Sequence, residues 1–170
     1  MQLYVDSANI NEIRHAAELG IVSGVTTNPS LLAKEDPSVD VSKRILEIYE
    51  LIEGGHLSVE VVSTDTDGML READEILKWF PEATIKIPMI EGGLRAVKEL
   101  SRQEIPTNVT LIFSATQALA ANNAGATYVS VFVGRLDDIS LDGIQVVQDV
   151  CDIWDTQQLD SQIIAASIRH

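Results

Sequence analysis

Lys86 sits where the sequence asks for a chemical explanation. It lies in Thr84-Ile85-Lys86-Ile87-Pro88, a short apolar run of the kind that buries its side chains in a sheet. A desolvated ammonium is costly unless it is paired or gives up its proton. A neutral amine in such a place is a nucleophile toward a carbonyl carbon; the plainer alternative is a structural lysine paired with Asp6 or Glu60. Side chains alternate faces along a strand, and that alternation groups other polar residues. Ser58 and Glu60 share one face of Leu-Ser-Val-Glu-Val-Val, while Val59 and Val61 take the other. Thr84 and Lys86 share a face, as do Asn108 with Thr110, Ser130 with Phe132, and Ser167 with Arg169; Asp6 ends the first run. Glu60 has no plain structural role, because a buried carboxylate needs a partner. Asp6 precedes a helix and could cap it, but Ser7 and Asn9 can serve instead. Thr110 is of a type common in strands.

These residues need elements to hold them. Strand-like runs fall at 2–6, 21–28, 57–62, 83–88, 107–113, 127–133 and 161–169. Runs with helical spacing fall at 9–19, 43–53, 66–80, 92–102, 114–124 and 141–154. In the second of these, Ile45, Ile48, Leu51 and Ile52 line one face. Apolar strands alternating with helices imply parallel strands joined by right-handed crossovers. No linker or composition break divides the chain, so one domain over residues 1–170 is expected. An open doubly wound sheet and a (β/α) barrel both fit this order. No glycine-rich phosphate loop follows any strand, which counts against the nucleotide-binding open sheet. Polar groups near the C-terminal ends of several strands favour the TIM-type (β/α) barrel, whose interior gives them a shared centre.

The 170 residues carry a formal net charge of −14, which repels nucleic acid and anionic lipid at long range. No apolar run reaches the length of a membrane span, and the start, Met-Gln-Leu-Tyr-Val-Asp, lacks the pattern of a signal peptide. Cys151 is the single cysteine, so no internal disulfide forms, in keeping with a cytoplasmic location. It reads as a buried helical thiol. His15, His56 and His170 lack metal-ligand spacing, with His56 expected in a loop. Trp79 and Trp154 read as packing residues near helix ends. Arg14, Arg44, Arg71, Arg95 and Arg102 fall in helical runs and are expected in solvent. Arg135 and Arg169 fall outside them, where an arginine fork suits a phosphate; for Arg135 the alternative is an ion pair with Asp137 or Asp138.

With these residues in place the sequence resembles the transaldolase family, in particular the short transaldolases grouped with the fructose-6-phosphate aldolases. The matching stretches are LYVDSAN, GVTTNPSLL, VEVVS, IKIPM with EGGLRAVKEL, TNVTLIFSATQAL, YVSVFVGRLDD and AASIR, spanning residues 3–169. GVTTNPSLL and VFVGRLDD carry the most specificity. The resemblance implies a Schiff-base lysine at Lys86 and an acid/base at Asp6. It implies a catalytic water held by Glu60 with Thr110. It places Thr27, Asn28 and Asn108 with the substrate, Ser130 on the site wall and Phe132 beside the Schiff base. Arg135, Ser167 and Arg169 correspond to the phosphate-binding group.

The reaction so implied moves a dihydroxyacetone unit between a ketose phosphate and an aldose phosphate, as in the pentose phosphate pathway. Fructose 6-phosphate, sedoheptulose 7-phosphate, erythrose 4-phosphate and glyceraldehyde 3-phosphate are the implied partners. The lysine supplies the electron sink, so no cofactor or metal is implied. Fructose-6-phosphate aldolases carry glutamine at the Glu60 position and tyrosine at the Phe132 position, so this pair favours transfer over simple aldol cleavage. The family usually has proline at Val131 and commonly asparagine or proline at Ala115 and Thr116. Its members continue past ASIR with a helix, an eighth strand and C-terminal helices that join homo-oligomers. A barrel lacking its eighth strand is therefore expected. A non-catalytic sugar-phosphate-binding subunit is the alternative of another class.

Overall fold

The computed structural model describes residues 1–35, 38 and 40–169. Among the described residues seven strands lie in one sheet in chain order, and they alternate with helices as the hydrophobic periodicity requires. The chain divides into two compact units, Met1–Val62 with Glu72–Ile85, and Ser63–Arg71 with Lys86–His170.

In the first unit, β1 (Leu3–Asp6), β2 (Val22–Thr26) and β3 (His56–Glu60) run parallel. They are joined by α1 (Ile10–Glu18), α2 (Pro29–Leu32) and α3 (Val41–Leu51). The ladder aligns Tyr4, Gly24 and His56 in one row and Asp6, Thr26 and Ser58 in another. The row between them, Val5, Val25 and Leu57, faces the other way, toward the side on which Ile13, Ile45 and Ile48 form a core closed to solvent. Asn9 caps α1, its side chain accepting from the backbone N–H groups of Asn11 and Glu12 at 3.0 and 3.2 Å. Gly24 makes room for its neighbours. A Cβ there would stand 2.4 Å from the His56 carbonyl oxygen and 2.8 Å from the Tyr4 ring. The Tyr4 and His56 rings meet edge to face across it, 5.1 Å apart at 89°. The helix α4 (Thr66–Trp79) and the strand β4 (Thr84–Pro88) each lie partly in this unit.

The second unit holds the end of β4 and α5 (Glu91–Arg102), β5 (Thr107–Ile112), α6 (Ala115–Ala124), β6 (Tyr128–Phe132), α7 (Val133–Asp137), α8 (Gly143–Gln157) and β7 (Gln162–Ala166). β5, β6 and β7 are parallel. One face of this ladder, Val109, Ile112, Val129 and Val131, is buried with Val97, Leu100, Ala118, Ala121 and Val150 of the helices. Trp154 locks α8 to the start of β7 by donating its indole N–H to the Ser161 carbonyl at 2.7 Å. The β5–β6 ladder is irregular. Val109 pairs with Val129 and Ile112 with Val131, so Thr110 and Leu111 together stand opposite Ser130. This is a bulge, and Leu111 within it has a positive φ of 62°.

Several expectations change at this level. His56 opens β3 and is half-buried against Tyr4, where a loop was expected; the tight Gly54-Gly55 turn starts the strand earlier than its apolar run suggests. The short helices α2 and α7 were not anticipated, and Arg135 lies inside α7. Arg44 is not solvated: only 13% of its side chain is exposed, and its Nε is buried with no hydrogen-bond partner among the described residues. Cys151 is half-buried. His170 lies outside the described residues. No helix among the described residues is long and apolar enough to cross a membrane.

Candidate active site

Lys86 is 4% exposed, and its strand neighbour Ile87 is closed to solvent on the opposite face. Alternation therefore turns Lys86 away from the helices. On β5 and β6 the residues turned away from the helix-side row are Asn108, Thr110, Ser130 and, at the strand end, Phe132. Asn108, Thr110 and Ser130 are all at most 2% exposed. Ser130 Oγ donates to Asn108 Oδ1 at 2.7 Å, which fixes the amide. Thr110 Oγ1 is buried without a hydrogen-bond partner among the described residues, and such an orphan is uncommon enough to mark a place where a ligand or water completes the set. The Thr110 carbonyl accepts the Met89 N–H at 2.8 Å, tying the bulge to the turn just after β4. The Phe132 and Phe113 rings meet at 5.7 Å and 66°.

At the ends of β6 and β7, Arg135 and Arg169 flank one carboxylate. Arg169 donates to Asp138 Oδ1, and Arg135 lies 3.9 Å from Asp138 Oδ2. The hydrogen bond from Arg169, followed by the nearby positive charges, holds the Asp138 carboxyl below the usual carboxylate range. The same bond raises Arg169. Arg135 is largely exposed and Arg169 somewhat less so. Ser167, at φ 59°, presses its carbonyl toward α7, where a Cβ at Gly134 would stand 2.1 Å from that oxygen. The two basic residues are thus brought together, with Asp138 between them.

In the first unit Thr26 Oγ1 donates to Asp6 Oδ1 at 2.9 Å, as their register in the ladder dictates. Asp6 does not cap α1; Asn9 does. Thr27 is closed to solvent and gives its hydroxyl to the Ser58 carbonyl at 3.0 Å, a bond that supports the strand end. Asn28 caps α2, its Oδ1 accepting from Leu31 N–H at 2.9 Å, which leaves its amide NH₂ for other partners. Glu60 ends β3, half-buried. The sequence reasoning missed Thr26, whose pairing follows from register, and Phe113, whose face depends on the bulge; Asp138 was named only as an ion-pair partner for Arg135, and it meets Arg169 as well.

Comparison with solved structures identifies the type of fold. The chain aligns with the crystal structure of dihydrodipicolinate synthase from Rhodopseudomonas palustris at a TM-score of 0.59 and 11% identity, spanning 94% of this chain and 61% of that one. That similarity concerns the fold alone, a TIM-barrel-like arrangement of parallel strands and helices, as the sequence pattern implied. Residues 3–170 match the model of the Transaldolase/Fructose-6-phosphate aldolase family, and the chain belongs to that family. A probable transaldolase from Shouchella clausii is 55% identical over all of this chain, which spans 77% of that relative. Those of Thermoanaerobacter sp. and Halalkalibacterium halodurans are each 53% identical, with 77% and 79% of their lengths spanned.

Proposed function

We propose that this chain is a transaldolase that works through a Schiff base on Lys86. The observation that carries the reading is the burial of Lys86 on β4, at 4% exposure, in the unit that also turns Asn108, Thr110, Ser130 and Phe132 away from the helix core. Lys86 Nζ adds to the C2 carbonyl of a ketose phosphate, and loss of water leaves a protonated Schiff base. Asp6 takes the proton of the C4 hydroxyl. The C3–C4 bond breaks, its electron pair moves into the Schiff base, and an aldose phosphate leaves. The three-carbon enamine on Lys86 then attacks the aldehyde carbon of an acceptor aldose phosphate. Water, positioned by Glu60 with Thr110 Oγ1, adds to C2 and releases the new ketose and the amine. Positioned proton transfer of this kind contributes roughly 10²–10⁴ in rate.

The amides of Asn28 and Asn108 and the Ser130 hydroxyl supply hydrogen bonds for sugar hydroxyls, and Thr27 holds the strand end that carries Asn28. Arg135, Arg169 and Ser167 receive the phosphate, which exchanges with the Asp138 carboxylate for the two guanidinium groups. Fructose 6-phosphate and sedoheptulose 7-phosphate are the donors of this reading, and erythrose 4-phosphate and glyceraldehyde 3-phosphate the acceptors. This sets the chain in the cytoplasmic pentose phosphate pathway, as a homo-oligomer.

Transfer is favoured over aldol cleavage by Glu60 and Phe132. With fructose 6-phosphate alone, turnover should be slow, and it should rise steeply when erythrose 4-phosphate is added. Free dihydroxyacetone released at the full rate without acceptor would identify an aldolase. Glu60→Gln with Phe132→Tyr should shift the parent toward that behaviour. Stabilisation by sugar phosphates with no turnover under either condition would point to a binding subunit.

A further inference from the structure

Phe113 lies on the opposite face from the one that simple alternation gives it. Counting by twos from Asn108, the residues on the Lys86 side of β5 would be Asn108, Thr110 and Ile112, with Phe113 buried among the helices. The ladder says otherwise. Ile112 pairs with Val131 in the fully buried helix-side row, and the Phe113 ring meets Phe132 instead. One extra residue, Leu111, reverses the alternation. Its φ of 62° is a conformation that branched side chains adopt poorly. Backbone strain of this sort persists where the surroundings enforce it and gathers at functional sites. Here it coincides with the orphaned hydroxyl of Thr110. Both Leu111 and Phe113 are about two-fifths exposed, so neither is held in place by the core.

We infer that Leu111 is a positioning residue whose bulge swaps Ile112 for Phe113 on the substrate face, and that Phe113 with Phe132 forms an aromatic wall that keeps water from the lysine-bound three-carbon enamine. This rests on the Lys86 reading above. The side reaction that the wall suppresses is a hydrolysis. Solvent protonates the enamine carbon, water adds to the resulting iminium carbon, and the Lys86 amine leaves. Dihydroxyacetone is released, with one water consumed and no change of oxidation state. A transferase must hold its enamine against this loss until the acceptor arrives, so the wall determines how much of the donor is transferred.

The test compares the parent with Phe113→Ala, Phe113→Leu, Leu111→Val and Leu111→Gly. Each is first treated with fructose 6-phosphate and borohydride to record the adduct on Lys86. Dihydroxyacetone released per transfer is then measured over a range of erythrose 4-phosphate. Phe113→Ala should keep the adduct and lose several-fold more dihydroxyacetone per transfer, and Phe113→Leu should restore most of the parent ratio. Leu111→Val, which disfavours the positive φ, should behave like Phe113→Ala. Leu111→Gly, which accepts it, should behave like the parent. An adduct at the parent level with an unchanged release ratio in Phe113→Ala or in Leu111→Val overturns the inference alone. Absence of the adduct in every protein overturns the Lys86 reading and this one with it.

Discussion

His56 gives the sharpest test of how the first unit is packed. Its ring is packed against Tyr4 over Gly24, with Nε2 2.7 Å from Ser58 Oγ. Burial lowers its pKa from 6.5 to about 4. The folded protein therefore binds this proton less readily than the unfolded chain does. The associated stability is complete above the unfolded value of 6.5 and is lost as the pH falls toward about 4. At about pH 5 the unfolded ring is almost wholly charged and the folded ring mostly neutral, a loss of about 2 kcal/mol relative to about pH 7.5. Below pH 4 the loss reaches a ceiling of about 3 kcal/mol, against a total stability of about 5–15 kcal/mol for an ordinary domain. The chain also carries 26 Asp and Glu residues, so the measurement is a difference. Urea unfolding of the parent and of His56→Gln, at the same series of pH values, cancels what they share. The gap between the two should change by about 2 kcal/mol from pH 7.5 to pH 5, with the parent losing ground. Parallel curves would refute the argument, because they would mean that the ring gains a proton in the folded state as easily as in water.

Two further outcomes follow from single contacts. Thr110→Val removes a buried hydroxyl that has no partner among the described residues, and such orphans cost about 1–3 kcal/mol. Urea unfolding should show stability unchanged or raised by about 1 kcal/mol, while turnover falls at least about tenfold; a loss of stability with full turnover would assign the hydroxyl a structural role. Gly134→Ala sets a Cβ 2.1 Å from the Ser167 carbonyl oxygen and 3.2 Å from Arg169 Nε, so the end of the chain must move. KM for fructose 6-phosphate should rise about tenfold or more, since misplacements near 1 Å cost up to about 10². Reaction with unphosphorylated dihydroxyacetone as donor and unphosphorylated glyceraldehyde as acceptor should change little, and equal losses for both would remove Arg169 and Ser167 from phosphate binding.

The legible parts of the sequence were those with an unbroken period. Two-residue alternation placed Ser58 with Glu60, Asn108 with Thr110 and Ser130 with Phe132, and the structure keeps each pair on one face. The sequence also left Ser7 or Asn9 to cap α1 in place of Asp6, and Asn9 is the one that does. What escaped were the places where the period breaks without a glycine or proline to mark it. Leu111 adopts a positive φ with an ordinary side chain, so nothing local announced that Phe113 would change sides. Arg135 looked like a loop residue because α7 starts directly where β6 ends. Arg44 looked solvated because helical spacing tells which face it occupies and not what packs beside it. The cap of α2 was readable in principle, since Asn28-Pro29 is a start signal, but four residues show no period.

The central claim is covalent chemistry at one buried amine, and it can be read as a mass. The parent, incubated with fructose 6-phosphate and reduced with borohydride, should gain one reduced three-carbon unit, and peptide mapping should place it on Lys86. Lys86→Met should fold as well as the parent and gain nothing. An unmodified parent under native conditions, or a three-carbon adduct on any other lysine, would contradict the account.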